Sequence, residues 1–198
     1  MYLKNKWIFF CFFLIILYLF PHNVYSDTNY KLALINYLQS LKNFSASFLQ
    51  DNGENLSEGK VYVGKKRVRA EYFSPSRILI ILDENKAMYY NYELEEDEFF
   101  NPKNSNAWFF YDIFRNPLFF EDANIELKDK QLTLEKHGFD MEDRKYFIKI
   151  YFENDPLVLR KIEVQINQEF LELSIYNHNY NEEINKDLFK LINPKFFN

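Results

Sequence analysis

Two histidines beyond the N-terminal segment, His137 and His178, are the side chains best suited to catalysis or metal binding. A serine hydrolase needs a histidine beside a nucleophile and a carboxylate, and no serine of this sequence stands in a G-x-S-x-G motif. A zinc site needs further histidines or cysteines at close spacing, which neither histidine has. We therefore predict that both are solvated loop side chains, with no catalytic residue and no bound metal.

Carboxylates are densest in the run Glu95-Glu96-Asp97-Glu98. Paired carboxylates serve in acid–base catalysis, but a charge run within a polar stretch is usually solvated surface. The glycine-rich motifs that hold phosphates are absent from the sequence, which has 4 glycines. The sequence therefore predicts a protein that is not an enzyme and that needs no cofactor.

Apolar and aromatic side chains are the remaining candidates for function, and their chemistry is the binding of apolar groups. The chain has 22 Phe and 15 Tyr, which makes it 20% aromatic, and its formal net charge is −5. Nucleic-acid binding requires a basic stripe, so no nucleic-acid partner is expected.

The first 26 residues have the layout of a secretory signal peptide. Lys4 and Lys6 precede an apolar run over 7–20, and Pro21 ends that run shortly before Ser26. Cleavage after Ser26 would leave residues 27–198 as one exported domain, with a net charge of −7 and without Cys11. A retained membrane anchor is the alternative, although a spanning helix normally needs about 20 apolar residues.

The rest of the chain has the periodicity of one helix followed by many short strands. Asp27 and Thr28 are suited to cap a helix to about Lys42, in which Leu34 and Leu38 recur at helical spacing. Residues 95–106 read as a long polar loop, and 107–120 as one or two short helices interrupted at Pro117. Period-two alternation predicts strands at 44–50, 60–63, 68–72, 78–82, 87–92, 125–127, 131–135, 146–152, 158–166 and 169–176.

An antiparallel sheet, curled or barrel-like, follows from so many short strands. Val68, Ala70 and Tyr72 define one apolar face, and Met88 and Tyr90 are expected on the same face. Such a face covered by short apolar helices encloses a cavity for a lipid chain, or else its side chains fill one another's space as an ordinary core. Periodicity leaves both alternatives open.

Several segments together resemble the periplasmic outer-membrane lipoprotein carrier protein family, LolA. Phe44-Ser45-Ala46-Ser47-Phe48-Leu49-Gln50 is similar to the family's F-x-A-x-F-x-Q segment, and Arg69-Ala70-Glu71-Tyr72-Phe73-Ser74-Pro75 to its R-W-x-Y-x-x-P strand and turn. Residues 80–94 resemble its I-V-x-D-G-x-x-L-W-x-Y-x-P-x-L hairpin, and 184–194 its closing segment. The order and spacing of these motifs carry the resemblance.

The resemblance implies a mainly β fold with short helices, namely an unclosed antiparallel half-barrel with a helical lid over a hydrophobic cavity. It implies a periplasmic, monomeric carrier that takes acylated lipoproteins from an inner-membrane ABC transporter and delivers them to an outer-membrane acceptor. The expected cavity wall is Leu38, Phe44, Ala46, Phe48, Val61, Val63, Val68, Ala70, Tyr72, Ile80, Met88 and Tyr90. The expected lid residues are Trp108, Phe109, Ile113, Phe114 and Leu118.

The sequence departs from the family pattern at four places, one of which is Glu84 in place of the turn Gly. Gly64 and Lys65 stand where the family has an R-P pair whose Arg is implied to latch the lid, so Lys65, Lys66 or Arg67 would have to substitute. Ala70 replaces the Trp of the motif, and Val68 a common Phe. A periplasmic lipid- or lipoprotein-sensing regulatory domain of the same fold is the alternative function.

Overall fold

The computed structural model describes residues 27–180 and 183–197, so the predicted signal segment lies outside the described residues. The described residues form two α-helices, α1 (Asp27–Ser40) and α2 (Trp108–Arg115). Short 3-10 turns lie at Pro102–Asn104, Pro117–Phe120, Lys186–Phe189 and Pro194–Phe197. The strands are β1 (Phe44–Asp51), β2 (Leu56–Val63), β3 (Val68–Ser74), β4 (Ile78–Leu82), β5 (Ala87–Asn91), β6 (Glu96–Phe100), β7 (Asn124–Lys128), β8 (Gln131–Phe139), β9 (Lys145–Asn154), β10 (Leu157–Ile166) and β11 (Glu169–Asn179).

All eleven strands form one antiparallel sheet in the order β6-β5-β4-β3-β2-β1-β11-β10-β9-β8-β7. The sheet begins at β6 and ends at β7, and these two edges do not pair, so the barrel is open. Two consecutive meanders, β1 to β6 and β7 to β11, are joined by the pairing of β1 with β11. The predicted mainly β fold, an unclosed half-barrel with a helical lid, is confirmed.

Both helices bury one apolar side in the main core. Leu34, Leu38 and Leu41 at α1 are buried, as helical spacing predicts. In α2, Phe109 and Ile113 are buried, and Asn116 accepts a hydrogen bond from the backbone N–H of Leu118 to start the next 3-10 turn. Pro117 ends α2 because its ring prevents continuation of the helix.

At β4 and β5 the sheet has buried apolar side chains on both of its faces. The inner face belongs to a core that includes both helices, β1 and the β8–β11 half of the sheet. On the outer face Leu79, Ile81, Met88 and Tyr90 form a separate buried cluster, against which Tyr92 and Leu191 pack. The C-terminal segment thus covers the outside of β4 and β5.

Two predictions about charged and polar segments are wrong. Residues 95–106 are not one loop, because β6 (Glu96–Phe100) pairs with β5 as an edge strand. His137 and His178 lie on β8 and β11 rather than in loops. The His137 ring stacks on Phe147 with centroids 4.6 Å apart, and His178 Nε2 lies 2.6 Å from the Leu159 carbonyl oxygen.

Candidate functional site

A cavity of about 640 Å³ lies between the inner face of the sheet and α2. This volume falls in the range of about 300–1,000 Å³ typical of small-molecule sites. Its walls are mostly aliphatic and aromatic, and one end opens to solvent between turns. The lining residues are Phe48, Gln50, Asn52, Glu54, Val61, Val68, Ala70, Tyr72, Ile80, Leu82, Asn106, Ala107, Phe110, Phe114, Ile162, Val164, Ile166, Gln168, Glu169, Phe170, Leu171, Leu173 and Ile175.

Strand register brings the lining residues of β2, β3 and β4 together. Val61 is paired with Ala70, and Ala70 with Ile80, so all three side chains point to the same face. Ala70 is the smallest of this row, and space remains in front of it. The small side chain at position 70 therefore contributes directly to the width of the cavity.

A glycine allows two aromatic rings to form the wall near the open end. Gly59 is paired with Phe48 on one side and Tyr72 on the other, and their rings meet edge to face at 5.1 Å. A Cβ at position 59 would lie 2.4 Å from the Phe48 ring and 2.3 Å from the Glu71 carbonyl oxygen. The close approach of Phe48 to β2 thus requires glycine.

Six of the twelve residues predicted for the cavity wall line it, namely Phe48, Val61, Val68, Ala70, Tyr72 and Ile80. Four others are buried in the packed core instead: Leu38, Phe44, Ala46 and Val63. Ala46 pairs with Val61 and Phe44 with Val63, so they share the inner face but lie in its filled part. The inner face is therefore part core and part cavity.

Met88 and Tyr90 do not face the cavity, and the prediction that they share the face of Ala70 is wrong. Leu82 pairs with Ala87, so Ala87 takes the inner face and Met88 the outer one. Met88 pairs with Ile81 and Tyr90 with Leu79, in the separate outer cluster.

The predicted lid helix covers the cavity with different side chains from those expected, apart from Phe114. Phe110, Phe114 and Ala107 line the cavity. Phe109 and Ile113 are buried in the core, where Trp108 stacks on Phe109 at 3.7 Å between ring centroids. Leu118 is 65% exposed and does not line the cavity.

The opposite wall, from β10 and β11, was not among the predicted site residues. It consists of Ile162, Val164, Ile166, Leu171, Leu173 and Ile175. The sequence contains a signal for this wall, since apolar and polar residues alternate with period two along both strands. The pairing of Val164 with Leu171 then puts the apolar residues of the two strands on one face. The alternation does not indicate that this face borders empty space.

The open end of the cavity is polar. Gln50, Asn52 and Glu54 come from β1 and the turn after it, and Gln168 and Glu169 from the turn between β10 and β11. Asp51 pairs with Glu172, which places these two turns at the same end of neighbouring strands.

Tyr72 belongs to both parts of the wall. Its hydroxyl donates a hydrogen bond of 2.8 Å to Gln50 Oε1. Burial in the apolar wall raises the pKa of Tyr72 to about 12, because the phenolate would lose its hydration there. The hydroxyl therefore stays neutral at physiological pH.

Known proteins identify the fold and its family. The family model described as outer membrane lipoprotein carrier protein LolA matches residues 39–192. The chain belongs to the LolA family. Members of this family are periplasmic carriers rather than enzymes. Comparison with curated proteins gives no match.

The solved structures that resemble this LolA-family chain share little sequence with it. An uncharacterized conserved protein from Thermus thermophilus is 11% identical with a TM-score of 0.55, over 83% of this chain and 94% of that one. MucB in complex with MucA(peri) is 9% identical with a TM-score of 0.48, over 83% of this chain and 59% of that one. The Pseudomonas aeruginosa MucA/MucB complex is 9% identical with a TM-score of 0.49, over 83% of this chain and 61% of that one. The chain thus spans about three fifths of those MucB chains.

At the LolA latch position this chain has Gly64 in place of the family's Arg. Gly64 lies against the Phe189 ring, where a Cβ would be 2.8 Å from the nearest ring atom. Arg67 donates to Asp83 Oδ2 at 2.6 Å and to the Phe189 carbonyl oxygen at 2.7 Å, so it holds the C-terminal segment rather than the lid. Arg69 similarly donates to the Leu188 carbonyl oxygen at 2.6 Å.

The lid of this LolA-family chain is attached by its own arginine. Arg115, at the end of α2, donates to the Leu41 carbonyl oxygen at 2.6 Å, just after α1. Its Nε is buried without a hydrogen-bond partner, and burial lowers the pKa of the guanidinium. The partly desolvated guanidinium of Arg115 thus joins α2 to the end of α1 through one hydrogen bond.

A second, more polar cleft of about 590 Å³ lies on the outer side of α2, bordered by Tyr111, Asp112 and Arg115. Among residues 27–180 and 183–197, no group of histidine, cysteine and carboxylate side chains is arranged to hold a metal ion. Within the same ranges, no helix has the length and apolar character needed to cross a membrane.

Proposed function

We propose that this protein is a periplasmic carrier that binds the acyl chains of lipoproteins released from the inner membrane and delivers them to the outer membrane. The observation that carries the proposal is the cavity of about 640 Å³, apolar inside, polar at its opening and covered by a helix. Membership of the LolA family supports the same role. Export with removal of residues 1–26, and action as a monomer, are parts of the proposal.

The energetics of lipid transfer favour such an incompletely sealed site. Exposing a diacyl anchor of about 30 methylenes to water costs on the order of 24 kcal/mol, at about 0.8 kcal/mol each. Free diffusion of the anchor between membranes is therefore excluded. A carrier that recovered all of this energy would exceed the strongest non-covalent affinities, near 18–21 kcal/mol, and would not release its cargo. A cavity open at one end avoids that limit.

The proposed partners are acylated lipoproteins, an inner-membrane ABC transporter that supplies them, and an outer-membrane acceptor. The test is release of a lipoprotein from spheroplasts by the purified mature protein, with the product recovered as a soluble complex on gel filtration. The matched control cargo has its acylated cysteine replaced by alanine. We expect a soluble one-to-one complex with the acylated cargo alone.

Two results together would contradict the carrier role. One is failure to release the acylated lipoprotein from spheroplasts. The other is the absence of any lipid or lipoprotein from the protein purified from its own periplasm. N-terminal sequencing of that material also tests whether residues 1–26 are removed.

A further inference from the structure

The cavity has an unequal distribution of charge along its depth. Its charged lining residues are Glu54 and Glu169, both at the open end, and no lysine or arginine lines it within the described part of the chain. An acyl chain that fills the apolar interior leaves its polar head group at this opening. The head group therefore meets two carboxylates.

Neither carboxylate is neutralised by an ion pair within the described residues. No lysine or arginine of the described ranges forms an ion pair with Glu54 or Glu169. On the outer face of the sheet the situation differs, since Glu135 pairs with Lys149 at 2.5 Å and Glu163 with Lys161 at 2.6 Å. The carboxylates at the opening thus remain available to a ligand.

Asn106 adds a third acceptor at the same place. Its side-chain nitrogen donates to Glu169 Oε2 at 3.1 Å, which orients the amide, and its Oδ1 is buried without a hydrogen-bond partner. A buried acceptor without a donor is unfavourable, so this oxygen favours a ligand that supplies an N–H or O–H. Glu54, Asn106 and Glu169 together are called the acceptor rim.

We propose that the acceptor rim selects apolar ligands whose head group carries a primary ammonium. An ammonium brings one positive charge and three donors, which complements two carboxylates and one amide oxygen. Two sources share this chemistry: the free α-amino group of a diacylated lipoprotein and the ethanolamine head group of a phospholipid. The inference rests on the proposed function to the extent that the cavity must hold the acyl chains.

The experiment compares matched ligands that differ at the amine. A diacylglyceryl-cysteinyl peptide of neutral sequence and phosphatidylethanolamine are each used with a free amine and with the amine acetylated. Each ligand displaces a fluorescent fatty acid from the mature protein at low salt and about pH 6.5, where an α-amino group is protonated. We expect about two- to 30-fold tighter binding of the free-amine form, the range for two exposed ion pairs.

Variants at the rim assign the preference to named residues. The double variant Glu54→Gln with Glu169→Gln removes both charges at exposed positions, and it should bind the free-amine and acetylated forms about equally. Glu96→Gln, on the edge strand β6 and away from the cavity, is the matched control and should keep the preference. Circular dichroism of each variant checks that the fold is retained.

The outcomes separate this inference from the carrier role. A rim-dependent preference with the peptide pair, the phospholipid pair or both supports the inference and names the source. Displacement with no amine preference, or a preference unchanged in the double variant, overturns the inference and leaves the carrier role standing. Failure of every acyl ligand to displace the probe would overturn both.

Discussion

Ala70→Phe tests whether the space in front of Ala70 is a binding cavity. Ala70 lines that space, whereas Ala46, which also pairs with Val61, is fully buried in the filled core. The same substitution at these two positions therefore compares empty and occupied surroundings on one face of the sheet. Ala46→Phe is the matched control.

The expected change in the free energy of unfolding has a different sign at the two positions. At Ala46 the added ring must displace core atoms, and overpacking costs about 1–3 kcal/mol of the free energy of unfolding. At Ala70 the ring enters open space, where burial of a phenyl group is favourable by up to about 1.5–3 kcal/mol. We therefore expect the unfolding free energy of Ala70→Phe to be unchanged or higher. If the ring displaces roughly three methylenes of a bound chain, at about 0.8 kcal/mol each, the ligand Kd rises about 50-fold.

Two measurements check this prediction. Urea unfolding is followed by the fluorescence of Trp108 on α2, and affinity by displacement of a fluorescent fatty acid. Two findings together would refute the reasoning: Ala70→Phe loses as much stability as Ala46→Phe, and it binds the fatty acid as tightly as the wild type. That combination would mean that the space is closed in solution.

Three further predictions concern the lid, the wall and pH. Arg115→Met removes the hydrogen bond to the Leu41 carbonyl, and loss of about 1–2 kcal/mol of local stability should speed amide exchange in α2 about 5- to 30-fold in hydrogen–deuterium exchange. Gly59→Ala places a Cβ against the Phe48 ring and a backbone oxygen, so urea unfolding should show a loss of about 2–3 kcal/mol. Burial raises the pKa of Tyr72 to about 12, so the unfolded chain loses this proton at a lower pH than the folded chain does. The free energy of unfolding should therefore fall between about pH 10 and 12, by up to about 2.7 kcal/mol. Tyr72→Phe should remove that part of the decline, as seen in urea titrations across this pH range.

Each of these predictions has its own control. Arg160→Met breaks an exposed ion pair with Glu153 and should leave exchange in α2 unchanged, and an equal effect of both variants would contradict the role given to Arg115. Gly53→Ala has open space around it but a φ of 84°, so it should cost less than Gly59→Ala. Identical pH dependence with and without Tyr72 would contradict the raised pKa.

Local patterns in the sequence predicted most of the fold because its strands alternate clearly. The residues around Ala70 and along β10 and β11 show period two, and turn-forming residues separate them. β6 was missed, since Glu96-Asp97-Glu98 has the composition of a solvated loop and becomes a strand by pairing with β5. Edge strands often carry such charges, which discourage pairing with other molecules.

The candidate site was less accessible to sequence reasoning than the fold. The run Ala87-Met88-Tyr89-Tyr90 has no polar position, so alternation gives no indication of which side chains face inward. The pairing of Leu82 with Ala87 decides it, and this register depends on the turn between β4 and β5. Whether an apolar face borders a core or a cavity depends on the volume left between elements, which no local pattern records.

The order of the strands has a mechanical consequence for the lid. β6 and β7 are consecutive in the chain yet form opposite edges of the sheet, so residues 101–123, which contain α2, connect the two free edges. The lid is thus anchored at both ends and has no free terminus to swing. Its displacement requires the edges to change their separation or the connecting turns to unwind, which couples access to the cavity to the curvature of the whole sheet.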